Sequence, residues 1–76
     1  MLILYTKTGC QFCEKVLRVA TELGISFDER NIADEKNVKE LIEKGGKRQV
    51  PFLVDEAKGV SMYESDDIVK YLTSRT

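Results

Sequence analysis

The sequence predicts an α/β sandwich: a four-stranded mixed sheet flanked by three helices, in the order β-α-β-α-β-β-α. Three observations carry this. Residues 2–6 (LILYT) form a short β-rich apolar run, long enough for a buried strand and too short for a helix. Apolar residues then step by three and four from Cys13 to Leu23, the spacing of one helix face. Two short apolar runs, 51–54 and 60–63, bracket a polar turn and read as a hairpin.

Each element has its own signals. Thr8 to Gln11 fits a capping box, with a hydroxyl at the cap and an amide three residues on. The first helix that follows buries Cys13, Val16, Leu17, Ala20 and Leu23, and Gly24 stops it. Ile25, Phe27 and Ile32 suggest a second strand over roughly 25–31. Asp34 caps a second helix with Val38, Leu41 and Ile42 as its inner stripe and Gly45 as its end. Asp55–Gly59 turns the hairpin. Ser65 caps a last helix, with Asp66 and Asp67 in the first turn, where acids suit the macrodipole. Ile68, Val69, Tyr71 and Leu72 give that helix its buried side. A strand, a helix and a strand in succession imply a right-handed parallel crossover, to which the hairpin adds antiparallel strands.

Length and composition narrow the chemistry. Seventy-six residues suit one domain, 1–76, burying about 60–65% of its unfolded surface. Twelve Lys and Arg against thirteen Asp and Glu leave a net charge of −1, which gives no electrostatic footprint for nucleic acid or an anionic membrane. No apolar run reaches the eighteen or so residues that span a bilayer. The opening MLILYTKTG lacks the basic region of a secretory signal, so a reducing, cytoplasmic setting is expected. The absence of histidine excludes Cys-His and Ser-His catalysis, Cys₂His₂ zinc sites and histidine pH sensing. Two thiols remain, three residues apart.

Cys10-Gln11-Phe12-Cys13 would arise by chance roughly once in 40 for two cysteines in a chain of this length. Its position says more than its spacing. Cys10 opens a helix that follows a strand, where free N–H groups and the positive dipole end favour a thiolate. Lys7, on the connecting loop, is a second candidate stabiliser. Cys13 falls on the apolar stripe one turn later, so it should be more buried and harder to ionise. Dithiol exchange needs that asymmetry: an exposed thiolate to attack and a sheltered thiol to resolve. Three other readings compete. A structural disulfide would close a very small loop and contribute about 2 kcal/mol. Half of a zinc knuckle would need a second chain to complete it. Two inert core cysteines would fit position 13 but not position 10.

With these residues on view, the sequence resembles the glutaredoxins, small members of the thioredoxin fold. Tyr5-Thr6-Lys7-Thr8-Gly9-Cys10-Gln11-Phe12-Cys13 is similar to the family's Tyr-Ser/Thr-Lys strand end leading into Cys-Pro-Tyr-Cys. Arg48-Gln49-Val50-Pro51 resembles its Arg-Thr-Val-Pro, and Ser65-Asp66-Asp67-Ile68 its Cys-Asp-Asp-Leu. The three matches fall in order and span essentially the whole chain. The resemblance implies Cys10 as nucleophile, Cys13 as resolving thiol and Phe12 as an aromatic flank of a glutathione groove. It also implies a cis bond before Pro51, which base rates alone would make trans, turning the Val50 backbone toward a bound peptide. Lys7 and Arg48 become candidates for the glycine carboxylate of glutathione. Ser65, Asp66 and the start of the last helix become candidates for its γ-glutamyl end. Glu64-Ser65 is also similar to the Glu/Gln-Ser pair of glutathione S-transferase N-terminal domains, which hold the same group; those enzymes add a helical domain that this sequence does not show.

The sequence departs from the glutaredoxin pattern at Gln11, where proline is usual, and at Gln49, where threonine is common. Tyr63-Glu64 stands where many members have Gly-Gly. The resulting expectation is a monomeric, glutathione-dependent dithiol oxidoreductase that reduces protein disulfides and glutathione mixed disulfides, a role in electron transport and cell redox homeostasis. Two alternatives accompany it: a glutaredoxin-like hydrogen donor reduced by thioredoxin reductase, and a carrier of a glutathione-ligated iron–sulfur cluster at a dimer interface. Within one chain no metal site is expected.

Overall fold

A computed structural model describes residues 2–74. Strand β1 (Leu2–Thr6) is buried at all five positions. It pairs in parallel with β2 (Asp28–Asn31), Ile3 opposite Asp28 and Thr6 opposite Asn31. On its other side it pairs antiparallel with β3 (Phe52–Asp55), Leu2 opposite Asp55 and Tyr5 opposite Phe52. Strand β4 (Val60–Met62) completes the sheet, whose order is β2-β1-β3-β4. The expected element order and mixed sheet are present, and the fold is thioredoxin-like.

Helices cover both faces, which is why β1 and β3 read as continuous apolar runs and not as alternating ones. Leu2 and Leu4 of β1 and Leu53 of β3 pack with Val16 and Ala20 of helix α1 (Gln11–Glu22) and with Ile68 and Leu72 of helix α3 (Ser65–Ser74). Ile3, Tyr5, Phe52 and Val54 point the other way and pack with Leu41 of helix α2 (Glu35–Gly45). The alternation of β-strand side chains thus assigns every core residue of β1 and β3 to one helical layer.

Polar ties fasten the layers. The buried Tyr5 hydroxyl donates to Glu40 of α2 at 3.1 Å. Burial raises the pKa of Tyr5, and the Glu40 carboxylate beside it raises it further. Arg30 of β2 bonds Glu40 and also Asp28, at 2.9 Å, and its guanidinium holds the Glu40 carboxyl below the usual range. At the far end of the sheet the buried Asp55 accepts from the Tyr71 hydroxyl at 2.5 Å, tying α3 to β3.

Several sequence expectations shift. Strand β2 starts at Asp28, not 25, because Ile25 and Phe27 pack against the α1/α3 core before the strand begins. Pro51 precedes β3, so the hairpin strands are 52–55 and 60–62. In α2 Asp34 caps as expected, its side chain accepting from the Lys36 N–H, but the helix closes on Gly46 in the left-handed region at φ 84°. Ile42 is not part of the inner stripe: it is 44% exposed, whereas Leu41 is fully buried. Ser65 is the first residue of α3 and not its cap; the Glu64 carbonyl accepts from the Ile68 N–H at 2.9 Å.

Adjacent positions of one helix therefore differ sharply in what they contribute. Leu41→Ala should cost about 2–5 kcal/mol of stability and Ile42→Ala less than about 1 kcal/mol. Urea denaturation of the two variants checks this, and similar losses would contradict the packing described.

Candidate functional site

The turn from β1 into α1 sets the first thiol. Gly9 adopts φ 80°, a conformation that favours glycine, and the Cys10 N–H closes the turn onto the Lys7 carbonyl at 3.2 Å. Cys10 itself, extended at φ −84° and ψ 115°, is the N-cap of α1, and its Sγ accepts from the Cys13 N–H at 3.3 Å. The expected cap at Thr8 is therefore overturned. Thr8 Oγ1 instead accepts from the Asn31 side chain at 3.0 Å, which leaves the helix end to the thiol. The thiol thus takes the capping role that a hydroxyl or carboxylate usually fills at a helix start.

The second thiol sits in a different medium. Cys13 is 1% exposed, and burial, reinforced by its hydrogen bond to Cys10, pushes its pKa up to about 12. Cys10 is half-buried, and both cysteines are free. The asymmetry expected from sequence is present: one thiol at the surface on a helix end, the other sealed in the core.

Three hollows that share lining residues lie at this end of the sheet, and Cys10 lines the first of them. The first, about 500 Å³, is lined by Lys7, Thr8, Gly9, Cys10, Gln11 and Phe12. The second, about 350 Å³, shares Phe12 and adds Val50, Pro51, Tyr63, Ser65 and Asp66 among its walls. The third, about 220 Å³, shares Lys7 and Thr8 with the first and adds Arg48. The site residues expected from sequence thus line one chain of hollows, except Cys13, which lies beneath it. Phe12 is 61% exposed between the first two. The Val50–Pro51 bond is cis, as the resemblance implied and base rates did not. Ser65 is nearly buried at the start of α3.

One partner escaped the sequence reading. Lys15 of α1 pairs with Asp66 of α3 at 2.5 Å, and the ammonium holds the Asp66 carboxyl below its usual range. Fifty-one residues separate the two, so no local pattern announces the pair. A carboxylate offers about four acceptor sites, so this one contact leaves room for another cation. Among the described residues no group of three or more Cys, Asp or Glu side chains is placed to hold a metal ion. The shared iron–sulfur cluster would draw only one cysteine from each chain, and nothing in the fold or the relatives supports it.

A family model for the glutathione S-transferase N-terminal domain matches residues 4–76. The chain belongs to that family. It is also 27% identical over 70 residues to the glutaredoxin-like protein NrdH of Lactococcus lactis, covering 92% of this chain and 97% of that protein. The glutaredoxin resemblance therefore stands beside the transferase family. Among solved structures, a glutathione S-transferase of the Antarctic clam Laternula elliptica superposes with a TM-score of 0.81 at 31% identity, over 97% of this chain and 34% of that one. A thioredoxin-like protein, BC3987, matches with a TM-score of 0.81 at 15% identity over 96% and 99% of the two chains, a likeness of fold alone. The chain spans only 27% and 55% of the length of two other curated relatives. No helix among the described residues is long and apolar enough to cross a membrane.

Two measurements follow from the unequal thiols. Iodoacetamide at pH 8 should alkylate Cys10 in the folded, reduced protein and reach Cys13 only on unfolding; mass spectrometry reads the sites. Because the folded-state pKa of Cys13 lies above its ordinary 9.0, its contribution to stability is whole below about pH 9 and is lost as pH climbs toward about 12. Urea denaturation from pH 8 to 11 should show reduced wild type losing stability faster than Cys13→Ala, and parallel curves would refute the assignment.

Proposed function

We propose that this chain is a thiol–disulfide oxidoreductase that uses glutathione, working through Cys10 and Cys13 within one glutaredoxin-like domain. The observation that carries the reading is the pair itself: Cys10 caps α1 with a backbone N–H on its sulfur, while Cys13 is sealed one turn below. The Cys10 thiolate attacks one sulfur of a substrate disulfide, forming a mixed disulfide and releasing the other sulfur as a thiolate that takes up a proton. Cys13 then loses its proton and attacks Cys10 Sγ. The substrate thiolate leaves, and the Cys10–Cys13 disulfide remains. Two glutathione molecules reduce this disulfide, becoming glutathione disulfide. With a glutathione mixed disulfide as substrate, a second glutathione does the work of Cys13.

The hollows support a matching set of contacts. Lys7 and Arg48 line one hollow and suit the glycine carboxylate of glutathione. The first N–H groups of α3, with Ser65 and Asp66, suit the γ-glutamyl end, the amides meeting its carboxylate and Asp66 its ammonium. Phe12 flanks the cysteinyl portion, and the Val50 backbone beside Pro51 offers strand-like bonds to glutathione or a peptide. Membership in the glutathione S-transferase N-terminal family supports glutathione as the thiol bound. Disulfide-containing proteins are the second substrate class, encountered by a monomer in a reducing compartment such as the cytoplasm.

The nearly end-to-end match to a glutaredoxin-like protein favours one other reading, a hydrogen donor reduced by thioredoxin reductase. A coupled assay following NADPH oxidation separates the two. Turnover is expected with glutathione plus glutathione reductase; turnover only with thioredoxin reductase would refute the glutathione reading. In the same assay Cys10→Ser should fall below about 1% of wild type with every disulfide, since it removes the nucleophile. Cys13→Ser should keep activity on glutathione mixed disulfides and lose it on protein disulfides.

A further inference from the structure

Tyr63 is a feature the mechanism above leaves unused. Its hydroxyl accepts from the Lys47 N–H at 3.0 Å and donates to the Lys47 carbonyl at 2.9 Å, so a single oxygen satisfies both backbone groups of one loop residue. Its ring packs on Phe52 with centroids 4.4 Å apart, and Phe52 in turn packs on Tyr5 at 5.8 Å. The Lys47 ammonium lies 5.6 Å from the Tyr63 ring centroid, within cation–π range.

A second observation concerns Gly45. Its backbone does not lie in the left-handed region, and alanine is ordinarily the better residue in a helix. Yet a Cβ there would fall 2.0 Å from Tyr63 Oη and 2.6 Å from its Cζ. Gly45 is glycine because Tyr63 occupies the space its side chain would need. The two glycines at the end of α2 therefore do different jobs, Gly46 for conformation and Gly45 for room.

We infer that Tyr63 is a positioning residue that latches the loop between α2 and β3, and so sets Arg48 and Val50 for glutathione. Arg48 is the residue after the latched Lys47, and Val50 two further on enters the cis bond. The loop has no strand or helix bonds of its own, so the two bonds at Lys47 fix where its later residues begin. Tyr63 is anchored to the core through Phe52 and thereby transmits the position of β3 to the loop. This rests on the glutathione reading above and extends it to a residue that does not touch the thiols.

The test is Tyr63→Phe, which keeps the ring and removes the hydroxyl. KM for glutathione in the coupled assay should rise roughly fivefold or more, since both hydroxyl bonds to Lys47 are lost, with kcat within about twofold of wild type. Exchange of the Lys47 amide, followed by NMR without ligand, should be faster in the variant. Gly45→Ala, which pushes on the same hydroxyl from the helix side, should raise KM in the same direction. Unchanged KM in an active Tyr63→Phe protein would overturn the latch alone, as would a lower melting temperature with KM and kcat unaltered. Wild-type protein inert toward glutathione would overturn the functional reading, and the latch with it.

Discussion

Strand β1 is buried along its whole length, laddered to β2 on one edge and β3 on the other, and covered by helices on both faces. A strand so enclosed cannot slip register, because a shift of one residue would exchange Leu2 and Leu4 with Ile3 and Tyr5 between two differently shaped cores. Its last residue, Thr6, is therefore fixed in space, with its hydroxyl on Glu29 of β2 at 2.8 Å. Four residues later the chain must enter α1. A glycine in the left-handed region and one turn bond suffice to place Cys10 on the helix end. The Cys10 thiol inherits the rigidity of the sheet without belonging to it.

The parts of this arrangement that were legible in the sequence are those written in local pattern. The helical stripe through Val16 and Ala20, the cap at Asp34 and the apolar runs of β1 and β3 depend on neighbours within a turn or a strand. What was misread depends on contacts from elsewhere. Thr8 fits a capping box as well as any threonine, but Asn31 from β2 takes its hydroxyl and the helix begins two residues later. Residues 28–31 carry three charged side chains and no apolar one, so the strand expected over 25–31 was placed from Ile25, Phe27 and Ile32 around it, and only its start was misjudged. Asp28–Asn31 form a strand because β1 offers its edge and because Arg30 can pair with Asp28 and Glu40.

The site divides in the same way. The spacing of the cysteines and the helix start after a strand made Cys10 and Cys13 legible without any relative. The gathering of Lys7 with Arg48, and of Phe12 with Val50, Pro51, Ser65 and Asp66, came from resemblance, since no local rule joins residues so far apart. Lys15 on Asp66 and Tyr63 on Lys47 were legible by neither route. Both are surface contacts between elements, made by residue types that occur on any helix or strand end. A net charge of −1 says little about such a surface. Cationic Lys7 and Arg48 line one end of the hollows and Asp66 the other, a division that suits a small zwitterionic thiol.

Cys10 also bears on the ionisation of Cys13. Burial is the largest reason that Cys13 resists ionisation, but its hydrogen bond to Cys10 and the repulsion of a charge on Cys10 add to it. These added contributions exist only while Cys10 is free. Once Cys10 forms a mixed disulfide its sulfur carries no charge, so the repulsion disappears and the hydrogen bond weakens. The Lys7 backbone, which favours the Cys13 thiolate, remains. Under the proposed mechanism, part of the resistance of Cys13 to ionisation is therefore removed once Cys10 is held in a mixed disulfide. Burial, the largest cause, and the nearby Glu29 charge are untouched by that change, so in the dithiol scheme proposed above the second step still starts from a sheltered thiol.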